Sequence, residues 1–126
     1  MRILLDTHVV LWELGGIRSV GPDSERAIRA ATELAFSVVS FAEVGVKAAV
    51  GKLSVPEDFH DRVLSLGLRI LGLAPDHGLA VAMLPMHHRD PFDRLLIAQA
   101  RAEGLTLLSA DERLADYDVG LIDASS

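Results

Sequence analysis

Short hydrophobic runs of strand length alternate along the chain with segments in which hydrophobic residues recur every three or four positions. The runs predict strands buried on both faces, and the periodic segments predict helices with one hydrophobic face. Strands are predicted at residues 2–5, 35–39, 68–73, 105–108 and 120–122. Helices are predicted at residues 7–14, 22–33, 41–50, 56–66, 76–84, 91–103 and 111–117.

This alternation predicts an α/β fold. Because strand–helix–strand connections are right-handed crossovers, about five short strands should form a mainly parallel sheet with helices on both faces, three layers in all. Prolines suited to a first helical turn and glycines suited to the residue after a helix mark several boundaries: Pro22, Pro56, Pro91, Gly51, Gly67 and Gly104. No repeat or linker divides the sequence, so residues 1–126 are expected to form a single domain.

Composition narrows the classes of function. Half of the residues are hydrophobic, enough for some hydrophobic surface to be reserved for a partner, and the absence of cysteine excludes disulfides and thiolate metal sites. Asp6 follows only three hydrophobic residues, so we expect no signal peptide, and the later hydrophobic stretches are too short for a membrane span. The absence of cysteine agrees with a reducing compartment, so we expect a cytoplasmic protein. The net charge of −6 argues against a broad basic surface that grips nucleic acid.

Acidic residues follow three predicted strands and begin one predicted helix; they are Asp6, Glu43, Asp93 and Asp111. Each has a structural explanation when taken alone. Asp6 is placed to cap the next helix, and Glu43 has the capping-box spacing from Ser40. Asp93 is a first-turn acid favoured by the helix dipole, while Asp90 is the expected cap. A capping box between Ser109 and Glu112 would leave Asp111 without a capping role.

Taken together, the four acids predict a metal site. The strand ends of a parallel sheet meet at one edge, so these carboxylates should converge and repel one another unless a cation lies among them. Oxygen ligands suit Mg²⁺ or Mn²⁺ and disfavour zinc, and such an ion can drive hydrolysis of a phosphodiester bond. Basic residues near the acids are candidate contacts for flanking phosphates, although each is also explained as a solvated surface charge: Lys47, Arg89, Arg94 and Arg113.

Two histidines, His87 and His88, precede the Asp90 turn. They are candidate ligands of metal or phosphate, but the more economical interpretation is that they are loop residues. Trp12 and Val9 lie on one hydrophobic stripe, which is more typical of a core or an interface than of a platform for stacking nucleic-acid bases.

With these residues in place, the sequence resembles the PIN-domain family, specifically its VapC-type toxin ribonucleases. The resemblance covers nearly the whole chain and rests on four blocks in order, of which the third is the most specific: Leu4-Leu5-Asp6-Thr7-His8, Ser40 to Glu43 leading to Lys47, His87 to Ala100, and Leu107 to Asp111. Many relatives have an aromatic residue where this chain has Ala42.

The resemblance implies a divalent-metal RNA endonuclease. It assigns Asp6, Glu43, Asp93 and Asp111 to the catalytic acids, with Asp6, Asp93 and Asp111 as metal ligands. It implies that Thr7 and Ser109 support those ligands. It also implies a cognate antitoxin protein, a toxin homodimer and a larger toxin–antitoxin complex.

Two other functions remain open from the sequence. A phosphoacceptor signalling domain has the same alternating order of strands and helices. It requires adjacent acids after the first strand and a Lys after the fifth, but here Asp6 stands alone and Leu121-Ile122-Asp123 contains no Lys. A non-catalytic α/β binding module would use the acids only as helix caps.

Overall fold

A computed structural model describes all 126 residues. Its five strands form one parallel sheet in the order β3-β2-β1-β4-β5, which confirms the predicted α/β class. The strands are β1 (Arg2–Leu5), β2 (Glu33–Ser37), β3 (Arg69–Leu71), β4 (Thr106–Ser109) and β5 (Leu121–Asp123). The chain builds the sheet outward from β1 to β3 and then returns to place β4 on the other side of β1.

Six α-helices and two short 3₁₀ helices connect the strands. The α-helices are α1 (Thr7–Gly15), α2 (Pro22–Ala30), α3 (Val38–Ala49), α4 (Phe59–Ser65), α5 (Pro75–Ala80) and α6 (Pro91–Glu103). The 3₁₀ helices are Val81–Met83 and Glu112–Asp116. No helix is both long enough and hydrophobic enough to cross a membrane.

Hydrophobic side chains of the sheet point alternately into two cores. On β1, Leu4 packs into one core with α6, while Ile3 and Leu5 pack into the other with α1 and α4. This alternation follows from the pleat, which sends successive side chains to opposite faces. Helices therefore cover both faces, as the unbroken hydrophobic strands predicted.

The boundary between β2 and α3 differs from the prediction. Val38 and Val39 have the β-branched side chains typical of a strand, but α3 begins at Val38 because the Ser37 side chain accepts a hydrogen bond from the Val39 backbone N–H at 3.0 Å. A local cap thus outweighs strand propensity. Glu43 consequently lies deeper inside its helix than predicted.

The segment predicted as helix 111–117 is a 3₁₀ helix, and predicted helix 56–66 begins only at Phe59. Pro56 therefore lies outside α4, and Glu33, predicted to end a helix, begins β2 instead. The other marker residues agree with the prediction. Pro22 and Pro91 occupy first helical positions, and Gly51, Gly67 and Gly104 have the positive φ angles expected after a helix.

Helix α6 is fastened to the sheet by a buried amide. The Oε1 of Gln99 accepts a hydrogen bond from Ser37 at 2.5 Å, and its Nε2 donates to the Gly72 carbonyl at 3.1 Å. Ser37 ends β2 and Gly72 follows β3, so these bonds connect α6 to the carboxyl ends of two strands. They help to fix the helix that carries Asp93.

Candidate functional site

A cleft of about 220 Å³ opens at the carboxyl edge of the sheet, beside the neighbouring strands β1 and β4. The strand order reverses between these two strands, and ligands of open α/β sheets bind at such a point. Five of the cleft residues are acidic, and two carry a positive charge at neutral pH. The lining residues are Asp6, His8, Trp12, Glu43, Lys47, Asp90, Asp93, Ala110, Asp111 and Arg113.

Asp6 lies at the floor of the cleft and is only 4% exposed. It stands at the N-cap position of α1, but its side chain makes no capping hydrogen bond. Its Oδ2 accepts a hydrogen bond from the Ser109 hydroxyl at 2.8 Å instead. Burial raises the pKa of Asp6, the charge of Glu43 acts in the same direction, and the Ser109 hydrogen bond opposes the rise. Burial of the charged Asp6 carboxylate therefore costs free energy, and helix capping does not explain why the residue is placed there.

Glu43 is 1% exposed and lies in the second turn of α3. The predicted capping box with Ser40 is wrong, because Ser37 caps this helix and the Ser40 hydroxyl accepts a hydrogen bond from Thr7 at 2.7 Å. The Oε2 of Glu43 pairs with Lys47 Nζ at 2.6 Å, one helical turn further on. This pairing raises the pKa of Lys47.

Asp93 projects from the first turn of α6 and is 8% exposed. The Asp90 side chain caps this helix, as predicted, by accepting hydrogen bonds from the Phe92 and Asp93 backbone N–H groups. Asp93 is thereby free of capping. Burial, together with the charges of Asp6, Asp90 and Glu43, raises the pKa of Asp93 to about 6, although a hydrogen bond with His88 opposes this shift.

Asp111 caps a helix, although the sequence predicted that it has no capping role. It is the N-cap of the second 3₁₀ helix, and its Oδ1 accepts a hydrogen bond from the Arg113 backbone N–H at 3.0 Å. Ser109 does not cap that helix; its hydroxyl accepts from the Asp111 backbone N–H at 3.1 Å and donates to Asp6. The Arg113 guanidinium binds both carboxylate oxygens of Asp111 and lowers the pKa of Asp111. Asp111 therefore combines a capping bond with a place in the cleft.

Two carboxylate oxygens of the cleft have no hydrogen-bond partner, and they are the only such buried side-chain atoms in the molecule: Asp6 Oδ1 and Glu43 Oε1. Unpartnered buried carboxylate oxygens are costly, because burial removes their water without replacing it. Both residues line the same acidic cleft. The donor set therefore fits a hard divalent cation, whose charge would satisfy these oxygens.

The basic residues predicted as RNA contacts divide into two groups. Lys47 and Arg113 line the cleft, and Arg89 is exposed on the preceding loop. Arg94, in contrast, is 7% exposed and donates hydrogen bonds to the carbonyls of Val81, Leu84 and Pro85. These bonds consume its guanidinium inside the fold, so the expected RNA contact by Arg94 is wrong. A guanidinium can be buried when backbone oxygens satisfy its donors.

His88 lies beside two acids of the cleft, whereas the sequence favoured an ordinary loop residue. It is 8% exposed, and its Nε2 lies 2.6 Å from Asp93 Oδ2 and 3.8 Å from Asp111 Oδ2. Potential ligand atoms of these three residues all lie within 4.8 Å of one another. Its imidazole weakens the argument against zinc, which assumed oxygen ligands alone. The available sequence signal was its place two residues before the Asp90-Pro91 helix start.

Trp12 lies at the rim of the cleft, partly buried. The Arg18 guanidinium covers one face of the indole, 4.3 Å from the ring centroid. This contact is a cation–π interaction and agrees with the interpretation of Trp12 as a packing residue.

Comparisons with known proteins agree with this architecture. The PIN domain family model matches residues 3–120. Ribonuclease VapC22 of Mycobacterium tuberculosis (strain ATCC 25618 / H37Rv) is 30% identical over 118 residues, which cover 91% of this chain and 91% of that protein.

Two solved structures share the fold at lower identity. VapBC2 from Rickettsia felis, bound to a promoter DNA fragment, has a TM-score of 0.70 and 18% identity, covering 97% of this chain and 98% of that one. DNA-bound VapBC from Salmonella typhimurium has a TM-score of 0.71 and 14% identity, covering 98% of both. On the family match and the 30% identity, the chain belongs to the PIN-domain family, in the VapC-type branch that its motifs indicated.

Proposed function

We propose that this chain is a divalent-metal endoribonuclease that hydrolyses RNA phosphodiester bonds and acts as the toxin of a toxin–antitoxin pair. The observation that carries the proposal is the pair of unpartnered oxygens, Asp6 Oδ1 and Glu43 Oε1, in one acidic cleft. The relationship to a protein named Ribonuclease VapC22 supports RNA as the substrate. The proposed unit is a single domain of residues 1–126.

Asp6, Asp93 and Asp111 are the proposed ligands of Mg²⁺ or Mn²⁺, and Glu43 completes the catalytic acids. When bound, the ion supplies Lewis acidity that activates water and stabilises the departing oxygen of the phosphodiester. Ser109 holds Asp6 through its hydroxyl. Thr7 holds Ser40 rather than an acid, so its support for the site is indirect.

Glu43 is the acid best placed to handle a proton. It is buried and it keeps one oxygen unpartnered, while Lys47 holds the other at 2.6 Å. A carboxylate held this way can accept a hydrogen bond from a water that enters the cleft, and can take its proton during attack on phosphorus.

Positive groups at the cleft would hold the RNA backbone on either side of the reacting phosphate. Arg113 is paired with Asp111, a proposed metal ligand, so a bound cation would compete for that carboxylate and release the guanidinium toward a phosphate oxygen. Lys47 lines the cleft, and an ammonium group has three N–H donors, so it can hold Glu43 and contact a phosphate at once. Arg89, exposed on the neighbouring loop, is the third proposed contact.

The proposed partners are a cognate antitoxin and a second copy of the chain, in the cytoplasm. Large hydrophobic side chains that are exposed are candidates for such contacts. Several of these side chains are on or near α3 and α5: Val46, Val50, Leu79, Met83 and Met86. The VapBC structures that share this fold are themselves complexes.

The test is cleavage of cellular RNA by the purified chain, freed of any antitoxin, in Mg²⁺ or Mn²⁺ and in excess chelator. We expect cleavage only with the ions, and we expect Asp6→Asn to lose at least about 100-fold in rate because a ligand is removed.

The matched control is Asp118→Asn. This exposed aspartate lies beside Thr106, at the opposite edge of the sheet, so its substitution should leave the rate unchanged. The proposal fails if the wild type neither binds Mn²⁺ nor cleaves RNA, or if Asp6→Asn cleaves as fast as Asp118→Asn.

A further inference from the structure

His88 occupies a junction between two acids of the cleft, although it contributes little surface to the cleft itself. Its Nε2 is 2.6 Å from Asp93 Oδ2 and 3.8 Å from Asp111 Oδ2. Its side chain is 7% exposed, so water does not compete strongly for this contact. When Asp93 is ionised, its carboxylate offers only acceptors, so the 2.6 Å contact is a hydrogen bond that Nε2–H donates.

The backbone of His88 is also fixed by hydrogen bonds. Its N–H donates to the Tyr117 hydroxyl at 2.9 Å, and the same hydroxyl lies 3.2 Å from the His88 carbonyl. Arg94 donates to Tyr117 at 3.2 Å and fastens the residues just before His88 through the Pro85 carbonyl. A buried arginine and a buried tyrosine thus form a brace for one loop residue.

Such a brace has a use only if the position of the imidazole matters. Loop residues without a function are usually left to solvent, as the neighbouring exposed His87 is. The brace instead brings Nε2 to the Oδ2 oxygen of Asp93, a residue that lines the cleft.

We propose, on the basis of the function proposed above, that His88 is a positioning residue that orients the Asp93 carboxylate for its cation. The Nε2–H bond fixes the carboxylate plane through Oδ2 and presents Oδ1 to the metal. Direct ligation by Nε2 would require the lone pair that the hydrogen-bonded form does not have, so the two roles exclude each other at that nitrogen. Partners that orient metal-binding carboxylates are worth about 10-fold to 100-fold in metal affinity or activity.

The test compares His88→Ala and His88→Gln with the wild type. A glutamine side-chain amide can place an N–H near the position of Nε2, whereas alanine cannot. We expect Mn²⁺ affinity, measured by electron paramagnetic resonance titration, to fall about 10-fold or more in His88→Ala and to be largely restored in His88→Gln. The RNA cleavage rate should show kcat reduced in His88→Ala with KM little changed.

The control is His87→Gln, which alters the exposed neighbouring histidine that packs edge-on against Tyr117. It should leave Mn²⁺ affinity and cleavage unchanged. Thermal melting of each metal-free variant checks that it is folded. A pulsed electron paramagnetic resonance spectrum of the Mn²⁺-loaded wild type should show no nitrogen coupling that disappears in His88→Gln.

Three outcomes would overturn the inference. Equal Mn²⁺ affinity in wild type and His88→Ala shows that the ring does not position Asp93, and leaves the nuclease proposal standing. A nitrogen coupling lost in His88→Gln makes His88 a direct ligand instead. A wild type that neither binds Mn²⁺ nor cleaves RNA overturns the nuclease proposal and the inference together.

Discussion

The acid that begins β2 at the amino edge of the sheet and two of the acids at its carboxyl edge, Asp6 and Asp93, have opposite electrostatic environments. At the amino edge, Glu33 begins β2 and is bound by the guanidinium groups of Arg2 and Arg69 on the two neighbouring strands. These arginines lower the pKa of Glu33. At the carboxyl edge, Asp6 and Asp93 are buried, no arginine or lysine pairs with either, and the pKa of each is raised.

The comparison distinguishes acids whose charged form the fold stabilises from acids whose charged form it destabilises. A partly exposed carboxylate between two arginines favours its charged form, whereas a buried carboxylate among other carboxylates favours its neutral form. The sheet could have ended in neutral polar caps at both edges. The uncompensated charge of Asp6 and Asp93 supports the proposed cation, whose positive charge would offset it.

The sharpest way to break the comparison is to neutralise one acid at each edge. We expect Asp93→Asn to lower RNA cleavage at least about 100-fold, because it weakens the metal site. Its melting temperature without metal should stay the same or rise, since a buried, repelled charge is removed. The measurements are a cleavage assay and differential scanning calorimetry.

Glu33→Gln is the matched variant at the amino edge. It should leave cleavage unchanged and lower the melting temperature by no more than about 2 °C, as surface ion pairs contribute little. If Asp93→Asn unfolds the protein while Glu33→Gln does not, the carboxyl edge acids serve the fold after all.

A second prediction concerns cation binding. Mn²⁺ at about 100 times its dissociation constant should stabilise the folded state by about 2.7 kcal/mol, which corresponds to a rise in melting temperature of roughly 10 °C. Chelator should reverse the rise. Asp6→Asn should show much less of it, and Glu33→Gln should show all of it. An equal rise in Asp6→Asn would place the binding ion elsewhere.

A third and smaller effect is the pH dependence of the metal-free protein. The folded-state pKa of Asp93, about 6, exceeds its ordinary value of 3.8, so folding favours the protonated form. The stability from this group is complete below about pH 4 and is lost as the pH rises through about 6. Lowering the pH from about 7 to about 5 should therefore raise the melting temperature by a few degrees, roughly 2–5 °C.

The pKa values of Glu33 and Asp111 are shifted in the opposite direction, below the ordinary carboxyl value. Their contribution is present above the ordinary carboxyl value and is lost only when the pH falls through the lowered values. Within the range from about pH 7 to about pH 5, Asp93 should dominate, and Asp93→Asn should flatten the profile while Glu33→Gln should not. An unchanged profile in Asp93→Asn would contradict the assignment.

The fold could be predicted from the sequence because its signals are local or periodic. Unbroken hydrophobic strands, helical spacing and helix-ending glycines each act within a few residues. The convergence of Asp6 and Asp111 followed from one general rule, that parallel strands end at a common edge. Where the sequence misled, as at Ser37 and Ser40, two serines were both competent caps and only the tertiary contact with Thr7 distinguishes them.

The roles of Arg94 and His88 could not be predicted in the same way. Both depend on the loop between Val81 and Asp90, which folds back onto α6 and onto Tyr117. No periodicity records that path, because the hydrogen bonds run to backbone carbonyls that any residue type would supply. An arginine inside a helix therefore resembled a surface charge, and a braced histidine resembled a loop residue.

The bond between Ser109 and Asp6 also has a consequence for the synthesis of the chain. It joins residues 103 positions apart, across the central pair of strands. While a ribosome is still making the first hundred residues, β1 has no β4 to pair with, and Asp6 has no Ser109. The nascent chain thus lacks a complete acidic centre until late in translation, because contacts this distant in sequence form only after both partners have emerged.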